Sequence, residues 1–217
     1  MPYTFENLTN VVETLVERLG LGKFSLYVMD YGAPVGYRLA LRRPDQVQTL
    51  IVQNGNAYDE GLARVLGPDQ ASIGRMPGLK IERRFTFWSM RSQRAGSMRM
   101  VVTDQTLLDP TTWLVDQVGL DRAGNREIQM DLFYDYRTNV PLYPQFQAFF
   151  RKYQPPTLIV WGKNDFIFPP EGAAPYRRDL QNVETHLLDT GHFALETHGE
   201  EIASRIEEFL QKQKLAN

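Results

Sequence analysis

The sequence contains no cysteine, which removes disulfides, thiol nucleophiles and thiolate metal sites from consideration. No apolar run is long enough to span a bilayer, and the N-terminus lacks the basic-then-apolar pattern of a secretory signal. A cytoplasmic location without membrane contact is the resulting expectation. Net charge is nearly absent too: 24 basic residues against 26 acidic ones leave −2, so the overall field offers nothing to nucleic acid. What remains is an ordinary globular composition over 217 residues, enough for one domain with an insertion and a substantial core.

The stretch Phe24 to Gly36 organises the chain. It reads as a buried strand, a sharp turn carrying Asp30, and the start of a helix that Pro44 stops. The turn has the form small-x-nucleophile-x-Gly, with Val28, Asp30 and Gly32 in the three places. Such an elbow lifts one side chain above the edge of a sheet. Asp30 would also serve as an ordinary helix N-cap.

Upstream, Leu8, Val11, Val12, Leu15, Val16 and Leu19 share one helical face, with Thr4 as cap and Gly20 and Gly22 as terminators. Downstream, Val47 to Val52 is a second strand ending at Asn54-Gly55-Asn56, so residues 24–52 form a βαβ unit. Asn54 and Asn56 read as turn residues. Residues 57–154 change character, with helical spacing over Ala57–Leu66, Asn125–Tyr136 and Tyr143–Tyr153. Arg83, Arg84, Arg91, Arg94 and Arg99 read as a solvated basic face within this stretch.

Pro155-Pro156 marks a return to α/β pattern. Thr157–Trp161 is a strand leading into Gly162-Lys163-Asn164-Asp165, and Gly172–Leu180 reads as a helix. Val183–Leu188 is the last strand, leading into Asp189-Thr190-Gly191-His192-Phe193 ahead of an amphipathic terminal helix. Three loops at strand carboxyl ends therefore carry Asp30, Asp165 and His192, where open α/β sheets hold their ligands. His186 and His198 flank His192 at equal spacing, but no regular element would bring all three to one ion, so a metal is not expected.

With Val28-Met29-Asp30-Tyr31-Gly32, Trp161-Gly162-Lys163-Asn164-Asp165 and Thr190-Gly191-His192-Phe193 in this order, the chain resembles the α/β-hydrolase superfamily. Within it, the resemblance is to the aspartate-nucleophile branch of epoxide hydrolases and haloalkane dehalogenases. It implies a partial α/β-hydrolase fold: a mostly parallel sheet, with residues 1–56 and 155–217 as core and 57–154 as a helical cap. Family members have further strands upstream and a His-Gly loop giving one oxyanion donor, so the chain is expected to begin after that point. Only the backbone N–H of Tyr31 carries over as an oxyanion donor, and the first strand is expected to be an apolar sheet edge, through which a homodimer could form.

The implied catalytic residues are Asp30 as nucleophile, His192 as base and Asp165 as its orienting acid, acting on a small-molecule substrate with no cofactor. Dehalogenases of this type carry Trp, or in fluoroacetate dehalogenases Arg, after the nucleophile. Tyr31 stands there instead, which favours epoxide-hydrolase-like chemistry over dehalogenation. Tyr134 and Tyr136 are the candidates to protonate an epoxide oxygen, and Trp88 is a further candidate for the substrate pocket. A non-catalytic hydrolase homologue acting as an interaction protein is the alternative from a different class.

Overall fold

The computed structural model describes residues 1–62 and 104–215. Four parallel strands form one sheet in the order β1-β2-β3-β4. They are β1 (Phe24–Met29), β2 (Val47–Gln53), β3 (Thr157–Gly162) and β4 (Val183–Leu188). The register sets Val28 beside Val52, Val52 beside Ile159 and Gly162 beside Leu188, so the carboxyl ends of all four strands open on one edge. Helices α1 (Phe5–Arg18) and α2 (Gly32–Arg42) flank β1 in sequence. Helices α3 (Pro110–Leu120), α4 (Asn125–Asp135) and α5 (Tyr143–Tyr153) lie between β2 and β3. A short α6 (Tyr176–Asp179) precedes β4, and α7 (Leu195–Leu215) follows it. None of these helices is long and apolar enough to cross a membrane.

Strand alternation sorts the core onto two faces. Val28, Leu50, Val52, Ile159 and Trp161 face α2 and α5, where Ala33, Tyr37, Ala40, Phe146 and Phe150 close the larger cluster. Ile51, Leu158 and Val160 face the other way, against Ile202 and Phe209 of α7. That helix covers β2 to β4 and leaves β1 bare: Tyr27, beside Ile51 in register, is 41% exposed. The expectation of a buried first strand is therefore corrected, since only its α2 side is covered among the described residues.

Gly36 shows how tightly that side is packed. A Cβ there would lie 2.5 Å from Val28 Cγ1 and 3.3 Å from Leu26 Cδ2. Gly36→Ala should lower stability by about 1–2 kcal/mol, because overpacking outweighs the helix-propensity gain of alanine. A shifted denaturation midpoint at constant slope is the measurement.

Two more expectations need correction. In α1, burial falls on Phe5, Thr9 and Val16, while Val11, Leu15 and Leu19 stay exposed. Besides that packing, Arg42 pairs with Glu6 at 2.5 Å and Glu13 at 2.7 Å, and Arg43 pairs with Glu13 and Glu17. Residues 172–180 are not one helix but a 3₁₀ turn over Pro170–Gly172 and the single turn of α6, which begins just after Pro175. Proline's missing N–H and the restriction it places on its predecessor break the run there. Of the expected helix at Ala57–Leu66, the described part is a 3₁₀ turn at Asp59–Gly61; its remainder lies outside the described residues.

Candidate active site

Asp30 occupies the turn between β1 and α2 with φ +46°, a left-handed conformation that aspartate tolerates better than most residues. Its carbonyl accepts the N–H of Ala33 at 3.0 Å, closing the elbow. The side chain remains 39% exposed. Tyr31 follows as N-cap of α2, and its N–H belongs to the helix N-terminus, where the aligned peptide dipoles favour negative charge.

Asp165 sits in the loop after β3, fully buried at its carboxylate. Oδ1 accepts the N–H groups of Ile167 at 2.7 Å and Phe168 at 3.0 Å. Buried Trp161 closes the same loop by donating Nε1–H to the Phe168 carbonyl at 2.9 Å. The loop is laced to the histidine loop through Lys163 N–H to the Leu188 carbonyl at 2.9 Å and Asn164 N–H to the Thr190 carbonyl at 3.0 Å. Gly162 permits this contact, since a Cβ there would meet the Gly191 carbonyl oxygen at 2.1 Å. The glycine of the Trp-Gly-Lys-Asn-Asp stretch thus has a steric reason.

His192, 3% exposed, stands between the two carboxylates. Nδ1 is 2.8 Å from Asp165 Oδ2, and Nε2 is 3.4 Å from Asp30 Oδ2. The first contact is a formed hydrogen bond. The second is an ion-pair approach without hydrogen-bond geometry. Burial alone would push the imidazole pKa down, but the charge and hydrogen bond of Asp165, then Asp30, overcome it and raise the value to about 10. The two carboxylates thus favour the protonated form of His192.

The structure brings Asp30, Asp165 and His192 together. It also places Tyr136 at this site: its ring lies 6.1 Å from that of Tyr31 and 6.3 Å from that of Phe168, which in turn lies 5.7 Å from His192. Burial first, then the neighbouring Tyr143, lifts the Tyr136 hydroxyl well above the usual phenol range, and Asp30 adds to the rise. The hydroxyl lies 3.4 Å from that of Tyr143, which accepts from Asn56 Nδ2 at 3.2 Å. Tyr134 goes elsewhere. It is 41% exposed on α4, with the Arg137 guanidinium 4.4 Å over its ring; two positions along a helix separates side chains by about 200°. It is not brought to the triad. Trp88 lies outside the described residues.

Sequence reasoning missed Tyr143 and undervalued both asparagines. Asn54 is a turn residue, with φ +44°, but its amide also bonds Asp165 Oδ2 at 2.6 Å. Asn56 backs Tyr143. The only available signal was two asparagines at the carboxyl end of the strand that pairs with the one before Asp30. Among the described residues no group of three or more His, Cys, Asp or Glu is placed to hold a metal ion.

An open parallel sheet with an elbow aspartate, a loop acid and a histidine at its carboxyl edge is the architecture of the α/β hydrolases. The chain matches the family described as alpha/beta hydrolase fold over residues 2–199 and belongs to it. It is 37% identical over 207 residues to the uncharacterized hydrolase YNR064C of Saccharomyces cerevisiae, covering 94% of this chain and 71% of the relative. It is 25% identical over 224 residues to the cis-3-alkyl-4-alkyloxetan-2-one decarboxylase of Shewanella oneidensis, covering 96% of this chain and 66% of that one. Among solved structures, the haloalkane dehalogenase DbeA from Bradyrhizobium elkani superposes with a TM-score of 0.76 at 18% identity, over 100% of this chain and 77% of that one. That likeness is one of fold.

Proposed function

We propose that the protein hydrolyses an epoxide through an alkyl ester on Asp30, with residues 57–154 serving as the cap over the site. The observation that carries this reading is the buried His192 held between a half-exposed elbow carboxylate at Nε2 and a buried carboxylate at Nδ1. A carboxylate at the elbow suits attack at a tetrahedral carbon bearing a leaving group. The relatives' names are compatible with that chemistry: an oxetan-2-one is, like an epoxide, a strained oxygen ring, and a haloalkane carries its leaving group on such a carbon.

In the first step an Asp30 oxygen bonds to a ring carbon and the ring C–O bond breaks. Tyr136 donates a hydrogen bond to the departing oxygen. The departing oxygen takes its proton from solvent, to which the imidazolium loses its own. Esterification removes the Asp30 charge and with it one of the two acids holding that proton. The imidazole is then neutral and serves as base. It draws a proton from water, whose oxygen attacks the Asp30 ester carbonyl, with the Tyr31 N–H stabilising the oxyanion. Collapse releases the diol, the Asp30 carboxylate and the His192 imidazolium, which restores the starting charges. Halide loss, by contrast, leaves no alkoxide oxygen for a phenol such as that of Tyr136, beside Tyr31, to serve. This favours the epoxide over the haloalkane reading.

The test is intact mass of His192→Ala protein incubated with panels of epoxides and haloalkanes. A single adduct equal to the whole mass of an epoxide, absent in Asp30→Asn protein, is the expected result. An adduct short of one hydrogen halide would assign dehalogenation instead. No adduct across both panels would count against a carboxylate nucleophile and for the non-catalytic alternative.

A further inference from the structure

Asn54 ends β2, is fully buried, and lies in the left-handed region. Its amide orientation is fixed by two partners of opposite kind. Nδ2 donates to Asp165 Oδ2 at 2.6 Å, and Oδ1 accepts the Gly162 N–H at 3.3 Å. A flipped amide would face oxygen to carboxylate and N–H to N–H, so only one orientation satisfies both neighbours.

Asp165 then receives four donors. Ile167 and Phe168 N–H take Oδ1, whereas His192 Nδ1 and Asn54 Nδ2 share Oδ2. Asn54 alone among these donors competes with the imidazole for the same oxygen. We infer that Asn54 is a positioning residue, whose amide draws on Asp165 Oδ2 and so weakens the grip of that acid on the imidazole proton. A donor on a carboxylate favours its charge and lowers its appetite for a second proton. Its removal would leave the whole of Oδ2 to His192. This inference deepens the proposed reaction, in which His192 must give up its proton before it can act as base.

The competing explanation is that Asn54 merely suits a positive-φ turn. Glycine separates the two roles, because it accepts φ +44° without a side chain. The experiment is a pH titration of the His192 imidazole by NMR in the whole chain without substrate, with His192→Ala assigning the signal against His186 and His198. The charged groups facing His192 are Asp165 at Nδ1 and Asp30 at Nε2, and rings of Phe168 and Phe193 flank it.

In Asn54→Gly the titration should move up by roughly 0.5–1 pH unit. Asn54→Ala removes the same donor and adds no charge, at the cost of some strain at the positive φ. It should move the titration in the same direction, and it carries the test if the glycine variant does not fold. A titration unmoved or lowered in a folded variant would overturn the inference and leave Asn54 to the turn. No turnover enters this measurement, so it stands or falls separately from the adduct experiment.

Discussion

Asp30→Asn protein should form no covalent adduct and should lose turnover by roughly 10⁴- to 10⁶-fold, the range found when one member of a cooperating set is removed. An amide is a poor nucleophile, and among the described residues no other carboxylate pairs with Nε2 of His192. Fold should be retained, because the side chain is 39% exposed and the elbow is closed by the Asp30 carbonyl, not its carboxylate. Asparagine also tolerates the positive φ. Measured kcat, intact mass and a denaturation curve on the same preparation decide the matter. Unchanged turnover would remove Asp30 from the mechanism.

Asp165→Asn should cost about 10⁴-fold in turnover, as loss of the orienting acid does in other triads, and it should also rewrite the pH dependence of stability. His192 has its pKa raised from 6.5 to about 10 in the folded chain. A group whose folded pKa lies above its unfolded value stabilises the fold while protonated. Its contribution is complete below about pH 6.5, declines above that, and is gone once the pH exceeds about 10. The melting temperature should therefore fall across this window in the parent protein. In Asp165→Asn the fall should be much shallower, because the charge of Asp165 is the foremost cause raising the imidazole. In Asp30→Asn most of it should persist, as Asp30 ranks after Asp165. Parallel melting curves for all three proteins would contradict the assignment of that proton to the Asp165–His192 pair.

The elbow, the Trp-Gly-Lys-Asn-Asp stretch and the Thr-Gly-His-Phe stretch were legible because each is a local pattern whose geometry is set by neighbours in sequence. The four strands were legible for the same reason: β-branched and apolar runs bounded by turn residues. What escaped depends on partners far along the chain. Asn54 meets Asp165 across 111 positions and Asn56 meets Tyr143 across 87, and no local pattern announces either pairing. The α1 face was misjudged because periodicity ranks apolar residues without knowing which side has a neighbour. The buried side turned out to be that of Phe5, Thr9 and Val16, with ion pairs from Arg42 and Arg43 beside it. Tyr134 and Tyr136 looked equivalent in sequence, and only the rotation of α4 with its following turn separated the buried one from the exposed one.

The excursion between β2 and β3 has a kinetic consequence. Residues 24–53 pair β1 with β2 across a single helix, whereas Gln53 must find Val160 beyond about a hundred intervening residues. Lengthening a loop adds little to its equilibrium cost, roughly 0.6 kcal/mol per doubling, but distant pairings slow the search. Asp30 thus belongs to the half that can assemble early, and Asp165 and His192 to the half that must arrive from afar. On the proposed reaction, recovery of activity on refolding should lag behind formation of the first strand pair, because the site is whole only after the last long-range closure.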